Sequence, residues 1–391
     1  MNLRRKIGLT ISLAGFAITI NTFPALVTWF SDKLSIPSSN FGIVFLAQYI
    51  AFTFFSIATG KLHARYKLPL QAILITALLL ASTGVFFIGF YNSFFSLMVL
   101  LIIIGGCGGL VEAIGTALLA EGSQNGNMIY TSQFFYAIGA FSAPLLIGIT
   151  INAGIAVPVI GRAVGAFAFG IGLLVWFLVF SKKETELTPL KIDTPDGKEP
   201  ITKIVRTDHR GFAWLFTAMV SYVVFESVMQ NWLPTFLQEA RGKTAGDASL
   251  ILTVFWVGLG ITRLSYAFFK KKSTKVPLLI QALILLVSAV ALAMTSATTS
   301  PILIIIIIGF IGIGAGPIWP LIVEHCSDTY QNESLVMYLV AAGSIGGIVG
   351  PSLSSLVFSY AHISYMSILL VGYHLICVFT IIIATKERKH V

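Results

Sequence analysis

Charge is what this sequence lacks most. Only 10% of its 391 residues are charged, against 56% hydrophobic, whereas soluble domains carry about 25% charged residues. A mean hydropathy of +0.90 is not that of a soluble globular protein. Cysteine is sparse too. Cys107, Cys326 and Cys377 stand far apart in or beside apolar runs, which excludes a disulfide framework and a zinc site. There is no phosphate-cradling glycine loop, no Walker lysine motif and no catalytic triad; Gly105-Gly-Cys-Gly-Gly109 lies inside an apolar run, where close helix packing explains it. No ATPase engine follows, and neither an enzyme activity nor a cofactor is expected.

What the sequence has is apolar length. Runs of about 20 residues recur from end to end, each long enough for a membrane-spanning helix. Twelve spans can be drawn, at 7–30, 40–62, 69–91, 94–120, 126–153, 158–181, 210–239, 246–269, 277–298, 300–325, 331–361 and 364–384. The expected fold is an all-α polytopic membrane protein. The first run follows Arg4, Arg5 and Lys6 but is too long for a signal peptide, so it reads as an uncleaved first helix.

The net charge of +9 invites a nucleic-acid partner, but its distribution argues against one. Alternate loops and the two ends hold 20 of the 25 basic residues, while the opposite loops hold only Lys33, Arg241 and Lys243. That asymmetry places both termini in the cytoplasm. The expected setting is a cell membrane, of the bacterial inner-membrane kind, with lipid as the surrounding partner and a monomer as the working unit. Residues 182–209 form the one long polar interruption, rich in Lys, acids and Pro, and read as a solvated linker. It separates an N-terminal six-helix half, 1–181, from a C-terminal one, 210–391.

The halves echo each other. Asn21-Thr-Phe-Pro24 stands 210 residues before Asn231-Trp-Leu-Pro234, and Gly106 and Gly109 stand 203 before Gly309 and Gly312. Lys67-Leu-Pro69 matches Lys275-Val-Pro277 in the same way. Such parallel repeats are a common basis of transporter folds.

Polar residues at membrane depth are the candidate functional groups. Ser221–Leu237 carries Glu226, Gln230, Asn231 and Trp232 within one span, with Pro234 expected to loosen its outer end. Glu226 and Gln230 share a helix face. Glu226 is the first candidate for proton coupling and Glu112, in the fourth span, the second. Arg263, inside the eighth span, needs a counter-charge, and its position alone leaves Glu112, Glu226 and Glu324 open. The amides Asn21, Gln48, Gln133, Gln230 and Asn231 both donate and accept hydrogen bonds, which suits a polyhydroxylated solute. Each also suits helix packing. Trp256 and Trp319 offer faces for stacking on a sugar ring, as does Trp232, which suits an outer-interface anchor equally. Tyr136 has the same two readings, ligand or core.

Twelve spans in a six-plus-six parallel repeat resemble the major facilitator superfamily. Gly60-Lys-Leu-His-Ala-Arg-Tyr-Lys67 resembles its loop motif, with His63 or Ala64 where an aspartate is expected. Within it, Tyr222, Glu226 and Trp232-Leu-Pro234 resemble the seventh span of the fucose–galactose–glucose:proton symporter family. Gln133–Pro144 and Gly258-Leu-Gly-Ile-Thr-Arg263 are similar to that family's fifth- and eighth-span motifs. The first span departs from it by lacking an acid. The resemblance implies a secondary transporter moving a small polar solute, a sugar in first place, together with protons. A proton-driven exporter of drugs or metabolites is the alternative with the same fold. A receptor or scaffold has little reason to hold acids at this depth.

Overall fold

The computed structural model describes residues 3–66, 68–121, 127–179, 209–268, 273–330 and 333–386. The linker predicted over 182–209 lies outside them apart from His209, as do Lys270–Lys272. The described chain is helical from end to end: α1 (Leu3–Thr22), α2 (Val27–Leu34), α3 (Gly42–Tyr66), α4 (Leu70–Phe86), α5 (Phe94–Glu121), α6 (Asn127–Asn152), α7 (Val157–Val179), α8 (His209–Glu239), α9 (Ala245–Phe268), α10 (Lys275–Ala293), α11 (Pro301–Ala315), α12 (Ile318–Tyr330), α13 (Glu333–Tyr360) and α14 (Met366–Lys386). Eleven segments among the described residues are long and apolar enough to cross a membrane, and the seventeen-residue α4 is the twelfth.

Two of the twelve spans are broken, each for a stated reason. The first divides into α1 and α2 at a 3-10 turn, Phe23–Leu26, where Pro24 supplies no backbone donor. The tenth divides into α11 and α12 at Gly316-Pro317 and runs on to Tyr330, past the expected end at 325. The seventh does not break. Pro234, expected to loosen it, sits inside a continuous α8, and Gln238 Nε2 donates to the Pro234 carbonyl at 3.2 Å. The wall around it is full, since Trp232, Leu233, Phe236 and Leu237 are all wholly buried.

The repeat seen in the sequence recurs in the packing. A Cβ on Gly109 would strike the Phe52 carbonyl, and one on Gly312 would strike the Phe255 carbonyl. Both members of each pair are 203 residues apart, so one close approach of α5 to α3 is repeated by α11 on α9. Pro144 and Pro351 lie inside α6 and α13 in the same manner. At the end of the bundle away from the termini the halves touch. Asn152 of α6 donates to Asp247 of α9 at 3.1 Å, and the Ser355 hydroxyl of α13 donates to the Ser39 carbonyl before α3, at 2.5 Å. Thr28 of α2 donates to Gln238 of α8 at 2.7 Å.

Candidate functional site

The site grows from the break in the tenth span. Within a helix the Gly316 carbonyl would accept from residue 320, but that residue is proline and has no N–H. An orphaned carbonyl at membrane depth costs several kcal/mol. Arg263 supplies the missing donor, its Nε lying 2.9 Å from Gly316 O. The hydroxyl of Tyr222 caps the neighbouring Ala315 carbonyl at 2.8 Å. The absence of a side chain at Gly316 is required here, because a Cβ would collide with Thr262.

With its Nε so occupied, the guanidinium presents two further arms. Nη2 meets Glu226 Oε1 at 3.2 Å, and Nη1 donates to Gln133 Oε1 at 3.0 Å. Glu226 is therefore the counter-charge of Arg263, and the structure resolves the choice among three acids that residue positions leave open. The pair is enclosed, with side-chain exposures of 2% for Arg263 and 14% for Glu226. Gln133 belongs to α6 in the other half, so one arginine joins three elements across the interface between halves. Breaking such a pair strands a buried charge, whereas the intact pair about balances its own desolvation.

A second group surrounds the pair. Glu112 of α5 and Tyr49 of α3 lie within electrostatic range of Glu226, and Tyr136 within range of Tyr49, Glu112, Glu226 and Arg263. Glu112, part-exposed, makes no hydrogen bond or ion pair among the described residues. Asn231 Nδ2 meets the Tyr49 hydroxyl at 3.1 Å and also bonds its own helix at Ser227 O, 2.7 Å away. Trp256 packs edge-on against Tyr136, ring centres 6.0 Å apart, and Tyr136 in turn packs against Phe16. Glu226, Arg263, Gln133, Glu112, Tyr136, Trp256 and Asn231 thus come together.

The remaining candidates are placed differently. Asn21 bonds back to Ala17 O at 2.9 Å, leaving its own carbonyl oxygen buried without a partner. Gln48 and Gln230 are buried, each with an unpartnered Nε2. Trp319 lies beside Gly343 of α13, and no described contact ties it to the cluster. Trp232 is neither an interfacial anchor nor a stacking face. It is wholly buried, donates to Pro351 O at 3.1 Å and packs against Phe45 and Phe358. In the last turn of α3, His63 Nδ1 bonds the Leu68 carbonyl at 3.0 Å, at one of the two positions, 63 or 64, where an aspartate is expected. Tyr49 was missed in the sequence, although it adjoins Gln48 in an apolar span. A crevice of about 510 Å³ lies elsewhere, between the start of α3 and the end of α13, lined by Ile43, Leu46, Phe94 and Leu356. It holds no charge.

A buried ion pair in one six-helix half, hydrogen-bonded through Arg263 to Gln133 of the other and with a second acid, Glu112, within range, is an arrangement that suits a membrane carrier. Residues 7–351 match the family profile of the Major Facilitator Superfamily. The chain belongs to that superfamily. It is a superfamily transporter rather than an enzyme, and a multi-pass membrane protein. A hexuronate transporter of Bacillus subtilis (strain 168) is 21% identical over 358 residues, covering 83% of this chain and 81% of that protein. The glucose/mannose transporter GlcP of the same organism is 23% identical over 368 residues, covering 89% and 88%. Among solved structures, a mutant of the nucleoside transporter NupG superposes with a TM-score of 0.73 at 13% identity, over 97% of this chain and all of that one. A bacterial homologue of the human lysosomal transporter Spinster, inward-facing and occupied, gives 0.70 at 14% identity, over 97% and 96%. At these identities the structures speak for the fold.

Proposed function

We propose that this transporter carries a small polar solute, a sugar in first place, with protons, by exposing one central site alternately to each side of the membrane. The observation that carries the reading is the Glu226–Arg263–Gln133 connection across the halves. A proton arriving at Glu226 releases Arg263 from its carboxylate partner, and the arginine is a group that bonds α9 to α6, through Gln133. Protonation and the fit between halves are thereby linked. Glu112 is the second proton site. The unpartnered amides of Gln48, Gln230 and Asn21, with the free indole N–H of Trp256, are groups a hydroxylated solute satisfies. Among relatives, a hexuronate transporter and a glucose/mannose transporter support a solute that is a sugar or a sugar acid, and the seventh-span motif keeps the fucose–galactose–glucose:proton symporters as the finer family reading.

The accompanying organisation is a monomer in a bacterial inner membrane, with a linker over 182–209 between the halves and both termini cytoplasmic. The basic asymmetry of the loops supports that orientation. Single cysteines test it: one at Thr194 is labelled from the cytoplasm and one at Thr244 from outside, and the reverse pattern overturns it. The test of function is uptake of labelled sugars into proteoliposomes under an imposed pH gradient. Accumulation that collapses with the gradient is expected. Uptake indifferent to the gradient would remove the protons from the proposal.

A further inference from the structure

Two lysines and two arginines stand at the end of the bundle away from the termini, and three of the four are committed within the protein. Lys33 donates to the carbonyls of Gly89 and Tyr91, at 2.9 and 2.8 Å. Arg241 donates to the Thr295 hydroxyl and the Ala240 carbonyl, at 2.9 and 3.1 Å. Arg162 covers the Phe90 ring, 4.8 Å from its centre. Lys243 differs: its ammonium makes no hydrogen bond, ion pair or ring contact among the described residues.

Lys243 borders a pocket of about 290 Å³ between α9 and the start of α11, with Asp247, Leu250, Val254, Pro301 and Ile305. Asp247 is exposed and only four residues on, yet the two form no ion pair. A cation and an anion are thus held apart beside an apolar pocket. Leu250 and Val254 begin a stripe that continues through Val257 and Ile261, spaced four, three and four along one face of α9. Val257 is 38% exposed and Ile261 57%, and on α11 Ile302 and Ile305 are exposed as well. In a multi-pass membrane protein such a stripe faces acyl chains. Asp247 has local work too: its backbone N–H bonds Thr244 Oγ1 and its Oδ1 accepts from Asn152, both at 3.1 Å. Neither contact engages Oδ2, and neither accounts for an uncommitted lysine beside it.

We infer that this pocket binds a zwitterionic phospholipid whose ammonium keeps its N–H donors, a phosphatidylethanolamine, from the leaflet at this end of the bundle. Lys243 takes the phosphate and Asp247 the ammonium, both through charge-assisted hydrogen bonds, and an acyl chain lies along the α9 stripe. A phosphatidylcholine has no N–H to offer Asp247. A phosphatidylglycerol has no cation, and its phosphate would meet the carboxylate unshielded.

The test is native mass spectrometry of the purified, delipidated full chain in detergent, titrated with these three lipids carrying identical acyl chains. Phosphatidylethanolamine is expected to be retained with apparent affinity at least fivefold above the other two. Lys243→Gln should weaken all three, which share the phosphate. Asp247→Asn should lower phosphatidylethanolamine to the level of phosphatidylcholine and leave phosphatidylglycerol no weaker. Ile305→Trp, which fills the pocket and alters no charge, should also abolish the preference. The unliganded Tm checks the fold of each variant, and should Asp247→Asn unfold for want of its bond to Asn152, Ile305→Trp still decides. Equal retention of the three lipids, or a preference that survives in every folded variant, overturns the inference. Tighter retention of phosphatidylglycerol overturns it as well, since the pocket would then answer to Lys243 alone.

Discussion

The first and seventh spans are the same element used twice, and they differ where it matters. Asn21 and Asn231 are 210 residues apart, and each donates to the carbonyl four residues back in its own helix. The same interval sets Phe16 against Glu226. Phe16 packs on Phe52 and Tyr136, whereas Glu226 pairs with Arg263. In the second and eighth spans, the 203-residue interval sets Gly60 against Arg263. Glycines and prolines keep the architecture symmetric, because close helix approach tolerates no side chain at those positions. At the two pairs Phe16/Glu226 and Gly60/Arg263, charge stands in the C-terminal half only. A symmetric frame lets two halves rock; an asymmetric pair gives one half a group that answers to a proton.

The strongest way to break that contrast is Arg263→Ala. It leaves Glu226 without a counter-charge and Gly316 O without a donor, and losing one partner of a buried pair costs about 3–5 kcal/mol. Thermal unfolding in detergent should show a large loss of stability, and transport should vanish. The matching change in the first half, Gly60→Ala, meets no atom within 4 Å and should leave both unaltered. Equal effects of the two substitutions would mean that the asymmetry has no consequence.

Glu226→Gln sharpens the comparison, since it keeps the shape and hydrogen-bonding of the side chain and removes its titration. The variant should fold and exchange solute across proteoliposome membranes, yet fail to accumulate it under a pH gradient. Accumulation at the wild-type level would take Glu226 out of the coupling and leave Glu112 as the proton site. Loss of exchange as well, in a folded protein, would make Glu226 a ligand of the solute.

A smaller effect separates the two asparagines. Asn231 reaches across the halves to Tyr49, while Asn21 bonds only within its helix. Losing a hydrogen bond to a buried group costs about 1–3 kcal/mol, or roughly one to two decades of affinity. Asn231→Ala should approach the upper figure in solute binding and Asn21→Ala the lower. The reverse order would place the solute nearer the first span than the seventh.

Much of this was legible in the residues. Twelve apolar runs announce twelve spans because a bilayer demands unbroken hydrophobic length, and Glu226 stands out because a carboxyl at that depth needs a reason. Arg263's need of a partner was equally plain. Which partner was not, since helices far apart in sequence meet only in the fold. The break at Gly316-Pro317 had a local signal, a glycine–proline pair inside a run of isoleucines, but apolarity on both sides masks it as one span. Pro234 misleads in the other direction, because packing around Trp232 and Phe236 holds its helix straight on to Glu239. Tyr49 was hidden by its ordinariness: a tyrosine in an apolar span reads as core until Asn231 is found beside it.

The smallest expected effect lies where the comparison becomes a contact. Thr28 and Gln238 are 210 residues apart, the interval that relates the first span to the seventh. They are equivalent positions, and they bond each other at 2.7 Å, so the pair lies where the two repeats meet. It helps to close the bundle at the end away from the termini, together with Asn152–Asp247 and Ser355–Ser39. Both side chains are part-buried, so a single bond here contributes about 0.5–1.5 kcal/mol, equivalent to about a two- to twelvefold change in population. Thr28→Ala and Gln238→Ala should each move the balance towards the state open at that end, and the double variant should move it no further than either alone, since both remove the same bond. Spin labels at exposed Asn40 and Ser359, on opposite halves, would read the separation in a protein whose three native cysteines are replaced. Distance distributions unchanged in both single variants would show that the other two contacts close this end unaided. Additive shifts would show that each residue acts through a neighbour other than its repeat-related partner.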